Sequence, residues 1–219
     1  MLSCAVCSQE MEHMTYREAV AAYIRENASP PDKFIHQPRV YDLARSLGRG
    51  MAFDDDVLYA AAWLHDLGVF LNHRPIAPEA LSTWDHVAYA VRQTPGLLTR
   101  FGFPCSKISA VVEAIRTHLP SSEPSSVEGT LLRDADLLEL LGATGIMRAC
   151  SKVGRDTRYG THRDAVRFLA RVAREVPGKL RLPQARELAR HRLALMNAFL
   201  LEYAREGGEA LDEEACLES

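Results

Sequence analysis

Leu58-Tyr59-Ala60-Ala61-Ala62-Trp63-Leu64-His65-Asp66-Leu67-Gly68 reads as a helix that carries chemistry at its end. Asp54, Asp55 and Asp56 precede it, which suits the positive end of a helix dipole. Leu58, Ala61, Ala62 and His65 recur at i, i+3, i+4 and i+7, the spacing of one buried helical face. His65 is therefore expected to point where the alanines point, with Asp66 next to it and Gly68 ending the helix. Adjacent helical residues diverge by about 100°, so a histidine and an aspartate side by side can straddle one point in space. Imidazole and carboxylate together suit a divalent cation at such a point. Taken alone, the pair reads better as a core histidine beside a helix-end aspartate.

Outward from this segment, the chain sets out helices separated by Gly, Pro and Ser. A capping box at Thr15-Tyr-Arg-Glu18 opens a helix that Pro30-Pro31 stops. Val40, Leu43, Ala44 and Leu47 form the apolar face of the next helix. Pro38 places its start near His36, and Gly48 and Gly50 place its end. Residues 69–82 read as a loop. A helix over 83–94 carries His86, with Trp84 and Tyr89 expected against the core. Ile108, Val111, Val112 and Ile115 predict a further helix, and His118 lies three residues beyond it. The Ser- and Pro-rich stretch 119–129 reads as a surface loop. After it comes a leucine-rich helix over 130–142, buried on several sides, which carries Asp134 and Asp136. A carboxylate in such surroundings is costly unless paired or bound to a cation, so one of the two is expected at a metal. The other would orient a histidine ligand from behind or face solvent. Two last helices are expected over 161–175 and 183–204, the second opened by Pro183 and packed through Leu188, Leu195 and Phe199, with His191 structural.

Composition sets the outer limits. Apolar residues make up 47% of the 219 and charged residues 25%, the balance of an ordinary globular chain with a core of ordinary size. A formal net charge of −3 argues against non-specific nucleic-acid binding as the main activity. No apolar run approaches the roughly 20 residues that span a bilayer. No basic-then-apolar pattern opens the chain, so a cytoplasmic location is expected. The five cysteines are odd in number and irregularly spaced, as reduced thiols are. Cys4 and Cys7 form a lone Cys-x-x-Cys, without the second pair of a zinc site or the strand-to-helix setting of a redox site.

Ordered along the chain, His36, His65-Asp66, His86, His118 and Asp136 on an all-helical background resemble the HD-domain superfamily of metal-dependent phosphohydrolases. The neighbours of each motif fit: His36-Gln-Pro-Arg-Val-Tyr-Asp-Leu-Ala, Ala62-Trp-Leu-His-Asp-Leu-Gly, Asp85-His86, Ala114-Ile-Arg-Thr-His118 and Asp134-Ala-Asp-Leu-Leu. The run from Asp134 to Arg148 looks like the small single-domain bacterial branch, in which a C-terminal helical extension is common. The resemblance implies an all-α fold, a single-domain bundle of roughly eight to nine helices with ligands projecting inward. It would span 15–206, with a metal-binding core over about 32–150 and an extension over about 151–206. A flexible tail is expected over 1–14, and an acidic, disordered one over 207–219.

The resemblance also implies a ligand set for one divalent cation, His36, His65, Asp66 and Asp136, the aspartate at 136 being favoured by its small and apolar neighbours. The metal would be Mn, Ni, Fe, Zn or Mg. His86 and His118 would either hydrogen-bond a phosphate or hold a second metal bridged by Asp66, which together with them would form the catalytic group. The implied reaction is hydrolysis of a nucleotide or another small phosphorylated metabolite by water that the cation activates. Substrate contacts are expected from His73 and Arg74 in the 69–82 loop, which read equally as a solvated pair, and from Arg148, Lys152, Arg155, Arg158 and His162. The last group reads equally as a solvated connection or as a phosphate-binding rim, since arginine forks suit phosphate oxygens. The same ligands would serve a dinuclear-iron oxygenase or a small-molecule hydratase, and a non-catalytic nucleotide-binding module is a third reading. The long C-terminal helix could serve a homodimer.

Overall fold

The structure, a computed structural model, describes residues 14–155 and 159–206. The cysteines at 4 and 7, Arg158 and the acidic segment 207–219 lie outside the described residues. Among the described residues there are ten α-helices and no strand, so the all-α expectation holds with slightly more helices than foreseen. Contacts gather the chain into two compact units, Met1–Arg133 and Asp134–Ser219.

The first unit contains α1 (Tyr16–Asn27), α2 (His36–Leu47), α3 (Asp55–Leu64), α4 (Pro78–Ser82), α5 (His86–Arg100) and α6 (Ile108–Arg116). Helix α7 (Val127–Leu138) begins among its residues and continues into the second unit, which adds α8 (Gly142–Cys150), α9 (His162–Glu175) and α10 (Pro183–Arg205). Every residue of α3 from Val57 to Leu64 is buried. A helix apolar all round must be enclosed, and α1, α2 and α6 all pack on α3. Full burial of Leu58 and Leu64 alone contributes about 1.5–3 kcal/mol each.

The capping box at Thr15 and Glu18 is present, with each side chain bonded to the other residue's backbone. Asp54 caps α3, accepting from the amides of Asp56 and Val57 at 3.0 and 3.3 Å. The aspartate run does more than face a dipole. Lys107 Nζ lies 2.8 Å from a carboxylate oxygen of Asp54 and of Asp56. Arg17 Nη2 lies 2.8 Å from those of Asp55 and Asp56. Tyr41 donates to Asp55 and Tyr16 to Asp56. The N-terminus of α3 is thus tied to α1, to α2 and to the 3₁₀ turn Cys105–Lys107.

Several boundaries differ from the sequence reading. Helix α3 ends at Leu64, and His65 caps it instead of lying inside it; the chain then tightens into a 3₁₀ turn over Leu67–Val69. Gly68 does not end the helix through a left-handed conformation, since it is not among the positive-φ glycines. It is required because a Cβ there would lie 2.5 Å from the carbonyl oxygen of His86. The expected loop over 69–82 contains α4. Pro95 lies inside α5 and does not stop it. The amide of Gly129 donates to Ser126 Oγ, and α7 starts at Val127, inside the stretch read as a loop. Helix α7 ends at Leu138, short of the expected 142, and Gly142, at φ 70°, instead opens α8, which the sequence did not announce.

In the second unit the buried Asp134 accepts hydrogen bonds from the backbone amides of Arg181 and Leu182, at 2.9 and 2.7 Å. Leu182 is the N-cap residue of α10 and supplies no side-chain cap of its own. A carboxylate from α7 therefore caps a helix that begins almost fifty residues later. Arg192 Nη1 donates to the Leu138 carbonyl from the middle of α10.

Two outcomes are expected. Hydrogen bonds from Lys107, Tyr16 and Arg17 hold the Asp56 carboxyl well below the usual carboxylate range. A carboxyl with a folded pKa below its unfolded value near 3.9 contributes stability that is present above that value and lost as the pH falls through the folded pKa. The thermal midpoint of the wild type should drop steeply below about pH 4, and Asp56→Asn should flatten that limb; parallel acid limbs would show that Asp56 carries no linkage. Asp134→Ala should cost about 1–3 kcal/mol in a denaturant titration, because two amides lose their acceptor in a buried place.

Candidate metal centre

Four histidines and one aspartate of the first unit converge. His36 is the first residue of α2, held there by the 3₁₀ turn Pro31–Ile35 before it. Pro38 sits in the first turn, where the missing N–H costs nothing. His65 caps the end of α3, His118 follows α6 by two residues, and His86 opens α5 behind the Asp85 cap. His36, His65 and His118 are 5%, 0% and 2% exposed, and these figures put three imidazoles in the core. The rings meet edge-on in series: His36 to His65 with centroids 5.4 Å apart, His65 to His118 at 5.1 Å, and His118 to His86 at 6.5 Å.

Asp66, half-buried, faces this row. Its Oδ2 lies 3.6 Å from His36 Nε2 and 3.7 Å from His65 Nε2. Ligand atoms of His36, His65 and Asp66 all lie within 4.8 Å of one another, and those of Asp66, His86 and His118 do likewise. Asp66 belongs to both groups. Ligands at about 2.0–2.2 Å from one ion lie up to roughly 4 Å apart across it, so each group is near the spacing a cation would draw together. The mixture of imidazole and carboxylate suits manganese, iron, nickel or zinc.

The tautomers agree with that use. His65 Nδ1 lies 2.9 Å from the Ala62 carbonyl, and His118 Nδ1 lies 2.6 Å from the Ile115 carbonyl. A carbonyl only accepts, so each Nδ1 carries the hydrogen and each Nε2 presents its lone pair. Metal-bound histidines are oriented in this way by a partner on the other ring nitrogen. Both carbonyls belong to the last turn of their helices, where helical partners run out. One contact therefore satisfies a helix end and aims a ring.

The remaining expected site residues are placed as follows. Asp136 lies half-buried on α7, among the residues of the second unit; its ligand role comes from the resemblance. Asp134 does not face solvent, and one of its oxygens is engaged at the start of α10, as described above. His73 bonds with both ring nitrogens, Nδ1 to the Tyr89 hydroxyl at 2.8 Å and Nε2 to Asn27 Oδ1 at 3.1 Å. Burial pushes its ring below the ordinary histidine value. With both nitrogens engaged, His73 joins α1 to α5 and has none left for a substrate. Arg74 is half-buried, its amide bonded to the Phe70 carbonyl. In the second unit Arg148 pairs with Glu139 at 3.7 Å, and the Lys152 ammonium sits 5.6 Å from the Tyr159 ring centroid. Arg155 is exposed near the Ser151 carbonyl, and His162 is exposed at the first position of α9. The sequence reading passed over Lys33, whose Nζ donates to the Val69 carbonyl at 2.9 Å, and assigned Trp84 only to packing, although its indole donates to the Gly68 carbonyl at 2.8 Å. Neither residue type at its position announces such a bond.

Residues 34–141 match the family model of the HD domain, an interval that contains every histidine and aspartate of the centre. The uncharacterized protein YpgQ of Bacillus subtilis strain 168 is 28% identical over 199 residues, covering 87% of this chain and 89% of its own. The crystal structure of YpgQ superposes with a TM-score of 0.68 at 24% identity, covering 89% of this chain and 97% of the other. Its complex with ADP gives 0.65 at 24% identity, over 87% and 94%. A predicted HD superfamily hydrolase from an uncultured Thermotogales bacterium gives 0.61 at 25% identity, over 91% and 98%. The fold is thus that of HD superfamily hydrolases. With its HD domain at residues 34–141 and the His, His-Asp, His, His series inside it, the chain belongs to the HD-domain superfamily.

Proposed function

We propose that the protein is a metal-dependent phosphohydrolase acting on a nucleotide or another small phosphorylated metabolite. The observation that carries this reading is the pair of ligand groups sharing Asp66. In this reading His36, His65 and Asp66 hold a divalent cation, and the family pattern adds Asp136. Such a cation, when bound, supplies a Lewis acid and lowers the pKa of water. The protein groups do the rest. His65, its Nδ1 hydrogen given to Ala62, keeps its Nε2 for ligation. His118, its Nδ1 hydrogen given to Ile115, offers Nε2 to a phosphoryl oxygen when protonated. His86, more exposed than the other three histidines, can exchange a proton with bulk water. Because water attacks phosphorus, no serine or cysteine nucleophile is required. The ADP complex of YpgQ supports a nucleoside phosphate as the ligand class.

The sharing of Asp66 also supports a second reading, in which His86 and His118 hold a second metal and the centre is a dinuclear-iron oxygenase or a hydratase. Elemental analysis of protein purified without added metal separates the two. About one equivalent of manganese, nickel, zinc or magnesium, with phosphate release from a nucleotide panel, is the expected result; two equivalents of iron with oxygen uptake would move the assignment to the second reading. Asp66→Ala should remain folded, lose more than about 100-fold in metal affinity and lose phosphate release. Full activity in that variant would sink the assignment. Nucleotide held without turnover by fully metallated protein would leave a binding module.

A further inference from the structure

We propose that Trp84 and Gly68 are positioning residues that together set His86 against Asp66 and His118. The inference rests on the second reading above, in which Asp66, His86 and His118 hold a cation, and concerns what makes that half of the centre possible. Asp66 and His86 belong to one ligand group, yet residues 67–85 separate them in sequence. A chain of that length does not fix the spacing of its ends, since the cost of closing it rises only slowly with length.

Two contacts fix it instead. The backbone of Gly68 lies so close to His86 that a Cβ would fall 2.5 Å from the His86 carbonyl oxygen and 2.7 Å from its Cα. The Trp84 indole N–H donates to the Gly68 carbonyl at 2.8 Å. Asp66 is two residues from Gly68, and His86 is two residues from Trp84. The two contacts therefore close a short circuit, Asp66 to Gly68 to Trp84 to His86, in place of the long covalent path. Trp84 is held from its other side by Tyr89, with ring centroids 5.2 Å apart. The neighbouring carbonyl of the same turn, Val69, is gripped by Lys33 Nζ, so the turn cannot drift away with Trp84. Ligand constellations work only within about 0.5 Å of their productive geometry, and a hydrogen bond together with a glycine-only contact gives that tolerance.

The indole N–H is a donor and nothing else, so Trp84→Phe removes the bond and keeps an aromatic ring. Metal-free full-length protein would be titrated with Co(II), followed by calorimetry and by visible ligand-field absorption, after a thermal melt has shown each variant folded. Trp84→Phe is expected to weaken Co(II) binding about ten-fold and to change the absorption. His86→Ala should weaken it at least as much, and the double variant should be no weaker than His86→Ala, because Trp84 then has nothing to position. Gly68→Ala, which reaches His86 by steric displacement, should repeat the Trp84→Phe result and serves if that variant does not fold. Wild-type affinity in both variants, losses that multiply in the double variant, or a His86→Ala protein that binds as wild type would overturn the proposal. If the wild type takes up no Co(II), the metal reading itself falls. The clamp is then judged on metal-free protein: a nuclear Overhauser contact between the His86 and His118 rings is expected in the wild type and not in Trp84→Phe, and its persistence there would overturn the clamp.

Discussion

The enclosure of α3 is the constraint on which the first unit depends. Eight consecutive buried residues leave that helix no face for water, so its neighbours have to surround it. Its two ends are the places where polar groups can enter, and each end has a different task. At the start, three carboxylates bind a lysine, an arginine and two tyrosines and so fasten the surrounding elements. At the finish, His65 and Asp66 emerge where the helical hydrogen bonds run out. An apolar rod thus delivers one imidazole into the buried interior, and the Ala62 carbonyl fixes its orientation.

The same solution is used at α6, where His118 gives its Nδ1 hydrogen to a last-turn carbonyl as His65 does. Buried backbone carbonyls need donors, and a histidine just past a helix end can be one. Its other nitrogen is left pointing away from the helix. Two helices ending close together therefore bring two lone pairs together, and the carboxylate of Asp66 lies against both ligand groups. The order of motifs picks out His36, His65, Asp66, His86 and His118, and the hydrogen bonds that aim the His65 and His118 rings support the proposed centre.

Much of this was legible in the sequence for a definite reason. The positions of Leu58, Ala61, Ala62 and His65 record the burial of one helical face, and burial is the strongest signal a single sequence carries. What was not legible depends on partners far along the chain. Gly68 looks like a helix stop, and only the approach of His86 shows why no larger residue fits. Asp134 looks like a rival to Asp136, and only the amides of Arg181 and Leu182, 47 and 48 residues away, show where its charge is used. His73, next to an arginine in an apparent loop, looks like a substrate contact until Tyr89 and Asn27 take its two nitrogens. In each case the local rule was sound and a distant contact outweighed it.

The contact between Gly68 and the Trp84–His86 segment has a mechanical meaning for the stretch it encloses. Residues 69–83 start and end at nearly the same place, so they form a closed excursion pinched at its neck, with Phe70 buried and His73 bonded to α1 and α5 near its start. Added length beyond His73 does not have to alter the spacing at the neck. A change of length around the highly exposed Ile76 is therefore expected to leave the histidines behind the pinch in register.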